Sequence, residues 1–223
     1  MGSFDFTTVR ARGLVKVYGP TRALVGVDAT FEAGRVTAVE GPNGSGKSTL
    51  LALLAQLMRP TRGEIRYGDR TRGGSELRAR IGVLAHAPMI YPDLTGLENL
   101  RLYARLHELE DPEARVRSLV ERFEIGRWGG RPARTYSRGQ LQRIALARAL
   151  VHSPRLLLLD EPSTGLDASA VARLERAVEE ERARGAIVVL VTHDAALAER
   201  LAQQRIRLER GKVVEVSPAE ARA

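Results

Sequence analysis

"GPNGSGKST", residues 41–49, meets the spacing G-x-x-x-x-G-K-[ST] with Gly41, Gly46, Lys47 and Ser48 at the required positions. In such a loop Gly41, Gly44 and Gly46 let backbone N–H groups turn inward around phosphate oxygens. Lys47 neutralises the outer phosphates, and Ser48 offers a hydroxyl to Mg²⁺. Pro42, Asn43, Ser45 and Thr49 complete the cradle. A glycine turn of purely structural purpose would carry the same letters, so the flanks decide. "RVTAVE" before the loop reads as a buried strand, and "STLLALLAQLM" after it is apolar and free of Gly and Pro, as a helix packed on a sheet should be. Strand, loop and helix stand in the order that phosphate binding requires.

Outward from this unit the chain alternates strands and helices. Residues 8–17 and 22–31 alternate as half-buried strands around a "YGP" turn, and "GEIRYG" and "RIGVLA" are two further short strands. From Thr95 the character changes. "TGLENLRLYARLHEL" opens with Thr95 and Glu98 in capping-box spacing, and "DPEARVRSLVERF" opens with Asp111 as N-cap and Pro112 at the first helical position. After this helical stretch come the strand "RLLLLD", a helix from about Ala168 to Arg184, the strand "AIVVLVTH", a helix over "AALAERLAQ", and a hairpin "RIRLERGKVVEV" turning at Arg210 and Gly211. Apolar strands alternating with helices predict a parallel sheet covered on both faces.

Composition narrows the function classes. The chain has 223 residues, enough for one core with a modest lobe, and its 43% hydrophobic and 28% charged content is that of an ordinary folded protein. Its longest apolar runs are strand-length, so no membrane-spanning helix is expected. "MGSFDF" lacks the basic start and apolar core of a secretory signal, and the absence of cysteine fits a reducing compartment, so the cytoplasm is expected. The net charge of +8 is uneven: residues 101–155 hold twelve arginines against six acids. That is either a solvated helical face or a surface for an acidic partner.

Two further stretches carry chemistry. "LLLLDEP" ends an apolar strand on Asp160 and Glu161, which face opposite ways, so Asp160 can serve the magnesium shell while Glu161 faces a water near the last phosphate. The bland alternative is an acidic cap on a strand end. His193 ends "VVLVTH", another strand whose carboxyl end belongs to the same ligand-binding edge. "TYSRGQLQR", residues 135–143, contains Ser137 and Gln140 in S-x-x-Q spacing, a capping box sufficient in itself to explain both residues. It also sets up a second helix N-terminus suited to an anion.

Taken in order, the phosphate loop, "YSRGQLQR", "LLLLDEP", "GLD" and "VTHD" resemble the ATP-binding cassette family over nearly the whole chain. The resemblance implies ATP and Mg²⁺ as cofactors. It implies Tyr18 as the aromatic stacking on adenine, Glu161 as catalytic glutamate and His193 as the switch histidine contacting the γ-phosphate. Ser137, Gly139 and Gln140 become the signature that closes over ATP held by a second cassette, and Asp167 falls in the dimer-contact loop. Each ATP would then be shared between two chains, which is why one protein needs two phosphate grips.

Two positions depart from the family pattern: His86 in "LAHAP" stands where a glutamine of the sensing loop is usual, and Arg138 replaces a signature glycine. Hard Mg²⁺ takes a ring nitrogen poorly, so direct metal contact by His86 is not expected. The "LAHAP" loop, the lobe that follows and the "YSRGQ" signature look like the ATPase subunit of the haem exporter of cytochrome c maturation. Drug or polysaccharide exporter ATPases are the alternative, and a cassette acting on ribosomes or DNA is the reading from another class. The expected fold is therefore α/β: one domain over 1–223, a P-loop NTPase with a mostly parallel core sheet, an N-terminal antiparallel β subdomain and an inserted helical subdomain at about 90–152. The expected partners are membrane permease subunits, met through the Arg-rich lobe from Thr95 to Phe123, and a second cassette, with no nucleic acid. The place would be the inner face of the cell membrane.

Overall fold

The computed structural model describes residues 5–71 and 74–218. In chain order the elements are β1 (Thr8–Tyr18), β2 (Thr21–Glu32), β3 (Val36–Glu40), α1 (Lys47–Leu54), β4 (Arg62–Tyr67), α2 (Ser75–Arg78) and β5 (Ile81–Leu84). They continue with α3 (Gly96–Leu106), α4 (Pro112–Arg122), α5 (Arg138–Leu150), β6 (Leu156–Asp160), α6 (Ala168–Ala183), β7 (Ile187–Val191), α7 (Ala195–Leu201), β8 (Gln204–Glu209) and β9 (Lys212–Pro218). Two sheets result. β2-β1-β4 is antiparallel, and the six-stranded sheet runs β5-β6-β7-β3-β8-β9, parallel except for the terminal hairpin. The hairpin turns at Arg210 and Gly211, both at positive φ (48° and 78°), as a tight two-residue turn between twisted strands requires.

The buried strands explain the two-layer core. Leu157, Leu159, Val188 and Leu190 face α3 through α7, while Leu156, Leu158, Ile187 and Val189 face α1 and the antiparallel sheet. Period-two alternation thus fills both faces of β6 and β7, which is why those strands read as continuous apolar runs. Helix α1 ends at Leu54 rather than running through the apolar "AQLM" as its composition predicts. Gln56 turns to φ 57°, and the Gln56 and Leu57 N–H groups fold back on Leu53 and Ala52 carbonyls, while the Tyr67 hydroxyl donates to the Leu54 carbonyl at 2.6 Å. The predicted caps form: Thr95 accepts from the Glu98 N–H while Glu98 accepts from the Thr95 N–H, and Asp111 accepts from the Ala114 N–H.

Some arginines of the 101–155 segment are engaged within the chain, while Arg105, Arg117, Arg127 and Arg131 are exposed. Arg115 donates to the Leu150 and Val151 carbonyls that end α5, Arg122 meets Glu180 and Glu181, and Arg101 bridges α3 to Glu113 of α4. Arg105 is exposed and makes no ion pair among the described residues. Among the described residues, no helix is long and apolar enough to cross a membrane.

Candidate functional site

Register places the site. Val191 lies beside both Val39 of β3 and Asp160 of β6, so the carboxyl ends of three neighbouring parallel strands are level. At this edge the loop after β3 leads into α1. Helices α3 to α7 all have a side chain capping their first turn, whereas α1 has none and no acid in its first turn, so its N–H groups stay open to an external anion. Gly46, the N-cap, sits at φ 106°, and a Cβ there would lie 2.5 Å from the Ala23 carbonyl oxygen, so both conformation and space demand glycine. Lys47 is buried and donates to the Gly41 and Pro42 carbonyls at 2.7 and 3.0 Å. Burial pulls its pKa below the usual lysine value, and the charges of Glu161 and Asp160 act against that pull. Ser45 Oγ is buried with no hydrogen-bond partner among the described residues.

Facing the loop, Asp160 is buried at the end of β6 and Glu161 follows at φ 49°, a left-handed backbone that a non-glycine residue adopts only when held there. The Glu161 N–H donates to the Val191 carbonyl at 2.8 Å, and Gln142 of α5 donates to the Glu161 and Pro162 carbonyls at 3.2 and 3.1 Å. Gln142 is a contributor that periodicity did not single out, because it occupies an ordinary polar helix position. Glu161 Oε2 accepts from the His193 N–H at 3.3 Å. Its Oε1 lies 3.4 Å from His193 Nε2, outside hydrogen-bond geometry, and has no other partner among the described residues. One cleft of about 470 Å³ gathers Tyr18, Asn43, Gly44, Gly46, Lys47, Ser48, Thr49, His86, Asp160, Glu161 and His193. Tyr18 is half exposed at its rim, with Lys16 Nζ 5.1 Å from the ring centroid. A groove of about 570 Å³ between α1 and β4 contains none of these groups.

The other sequence candidates lie elsewhere. Ser137, Gly139, Gln140 and Asp167 line a separate shallow concavity of about 360 Å³ that shares no residue with the cleft. Ser137 accepts from the Gln140 N–H at 3.2 Å and Gln140 accepts from the Ser137 N–H at 3.0 Å, the capping box read from the sequence. Gly139 packs so close to the Gly165 carbonyl that a Cβ would sit 2.7 Å from it. The stem of Arg138 lies against Gly165. Asp167 caps α6 through the Ala170 N–H and accepts from the Ser169 hydroxyl; these two hydrogen bonds hold its carboxyl below the usual range.

A mostly parallel sheet with a phosphate-type loop at its carboxyl edge, two strand-end acids and a detached S-x-G-Q helix define a nucleotide-binding cassette. The family described as "ABC transporter" matches residues 24–164, and the chain belongs to it. It is similar to a daunorubicin resistance ATP-binding protein of Streptomyces coeruleorubidus, 37% identical over 93% of this chain and 67% of that protein. It is also similar to the daunorubicin/doxorubicin resistance ATP-binding protein of Streptomyces peucetius, 38% identical over 92% of this chain and 64% of that one. This chain thus spans about two thirds of those relatives. It is 34% identical to the cytochrome c biogenesis ATP-binding export protein of Nitrosospira multiformis, over 90% of this chain and 98% of the relative. Among solved structures, an ATP binding subunit of an ABC transporter superposes with TM-score 0.88 at 31% identity, covering 95% and 90% of the two chains. A dimeric ATP-binding cassette in a post-hydrolysis state bound to ADP and Pi superposes with TM-score 0.86 at 28% identity, covering 96% of this chain and all of that one. Cassettes of this family bind ATP with Mg²⁺, hydrolyse it, and work as dimers beside a membrane permease.

Proposed function

We propose that the chain is the ATP-hydrolysing subunit of an ABC transporter, seated on the cytoplasmic face of a membrane permease, with its single domain spanning 1–223 and its helical part at about 90–152. The carrying observation is the cleft that sets an uncapped helix N-terminus, Lys47, Ser48, Asp160, Glu161 and His193 around one space. The residues fit a triphosphate with a hard cation: the orphaned Ser45 hydroxyl and the open α1 N–H groups are donors for phosphate oxygens, and Ser48 and Asp160 supply oxygen ligands for Mg²⁺. Bound Mg²⁺ neutralises the charge on the outer phosphates. Tyr18 gives the base a ring to stack on. Lys47 exchanges its loop carbonyls for phosphate oxygens. Glu161, with Oε1 free to accept, takes the proton of the attacking water, and His193 contacts the outer phosphate and keeps Glu161 aimed. His86 accepts a hydrogen bond from a water through a ring nitrogen and leaves the metal to oxygen ligands.

Ser137, Gly139, Gln140 and Asp167 lie apart from the cleft, which supports their serving the ATP of a second copy. A mixing experiment tests this: Ser137→Arg chains have an intact cleft, and Lys47→Ala chains an intact S-x-G-Q surface. A mixture should dimerise on ATP while neither variant does alone. A mixture that stays monomeric contradicts a shared site.

For the cargo the relatives divide among drug resistance, molybdenum import and an export protein of cytochrome c biogenesis, and we infer export. Haem export for cytochrome c maturation is supported by the match over almost the full length of the cytochrome c biogenesis protein. Drug export is supported by the higher identity to the daunorubicin proteins. The membrane protein that copurifies with the chain discriminates them.

A further inference from the structure

Arg148 is a buried cation that the mechanism above does not use. It is 7% exposed and, among the described residues, makes no ion pair. A buried charge without a counter-ion is costly, so its contacts need a reason. Its guanidinium donates to the Val83 carbonyl of β5 and lies over the Tyr103 ring of α3, 5.2 Å from the centroid. The Tyr103 hydroxyl in turn donates to the Met89 carbonyl at 2.9 Å, where the chain turns through φ 52°. One helical turn earlier on the same face of α3, the fully buried Asn99 accepts from the Tyr91 N–H at 2.8 Å and donates to the Tyr91 carbonyl at 3.0 Å. The segment between β5 and α3 is therefore gripped at Met89 and Tyr91, and Arg148 ties down the end of β5 from which it leaves. Between that end and Met89 lies His86, which faces the cleft.

We propose that Tyr103, braced by Arg148, is a positioning residue for His86: together they fix the loop that holds the imidazole in the cleft. Tyr103 does not line the cleft and acts through the loop. This rests on the reading of the cleft as the site of ATP hydrolysis.

The test is a double-mutant cycle in steady-state ATP hydrolysis with Tyr103→Phe, His86→Ala and both together. Tyr103→Phe keeps the ring under Arg148 and deletes only the hydroxyl. It should lower kcat about fivefold, the factor corresponding to one lost hydrogen bond, with KM for ATP unchanged. In the His86→Ala background the same substitution should have no further effect. Arg148→Lys, which keeps the charge and loses the planar fork, should follow the same non-additive pattern. An equal fall in kcat in both backgrounds, or no fall in either, overturns the proposal. Failure of the underlying reading shows separately, as turnover that survives Glu161→Gln.

Discussion

Replacing His152 by Phe should remove a specific part of the protein's sensitivity to acid. His152 follows α5, and its imidazole stacks on that of His107, which ends α3, with centroids 3.8 Å apart and planes within 3°. Among the described residues neither ring nitrogen of His152 has a partner in hydrogen-bond geometry; the nearby Ile81 backbone favours the charged form against the larger effect of burial. Burial, then the neighbouring His107, Arg148 and Arg115, lower the pKa of His152 from 6.5 to about 3. Its folded pKa is thus depressed, so the unfolded chain binds the proton more readily. The native state loses stability as pH falls below 6.5 and keeps losing it until about 3. Between pH 7 and pH 5 that difference amounts to about 2 kcal/mol. Urea unfolding at both pH values should show wild type losing about 2 kcal/mol more than His152→Phe, which keeps a stacking ring without a titrating group. His107, also lowered by burial and by Arg148, remains in the variant and cancels in the comparison. Equal losses for the two proteins would refute the reasoning.

Gly46→Ala forces a Cβ to within 2.5 Å of the Ala23 carbonyl at φ 106°. ATP binding, followed by fluorescent nucleotide titration, should weaken at least about tenfold, the factor for roughly 1.4 kcal/mol of strain in the loop. Arg105→Glu, on an exposed arginine without an ion pair among the described residues, should weaken pull-down of the membrane partner while basal ATP turnover stays within twofold or so of wild type. Arg101 is the poorer probe, because reversing it also breaks the bridge to Glu113.

What was legible in the sequence was whatever local chemistry dictates. The phosphate loop, the caps at Thr95, Asp111 and Ser137, and the apolar strands β6 and β7 are all set within a few residues, and each formed where the sequence placed it. The early end of α1 was not legible. It depends on Gln56 adopting a left-handed backbone and on Tyr67, from a strand of the other sheet, accepting the role of donor to Leu54. The four-residue α2 lacks enough turns to show a period. At the site, Glu161 and His193 could be read as strand-end residues of one sheet, but the free Oε1 of Glu161 and the support from Gln142 are products of packing. Asn99, Tyr103 and Arg148 read as ordinary helix residues. Their grip on the loop of His86 exists only once α3 and α5 have met β5.

The central claim is that Glu161 activates water for attack on ATP in this cleft. Glu161→Gln keeps the shape and the backbone contacts to Val191 and Gln142 while removing the basic oxygen. The account predicts that ATP binding persists, turnover falls by about 10²-fold or more, and an ATP-bound dimer accumulates on a sizing column in the presence of Mg²⁺. Turnover at the wild-type rate, with no accumulated dimer, would contradict it.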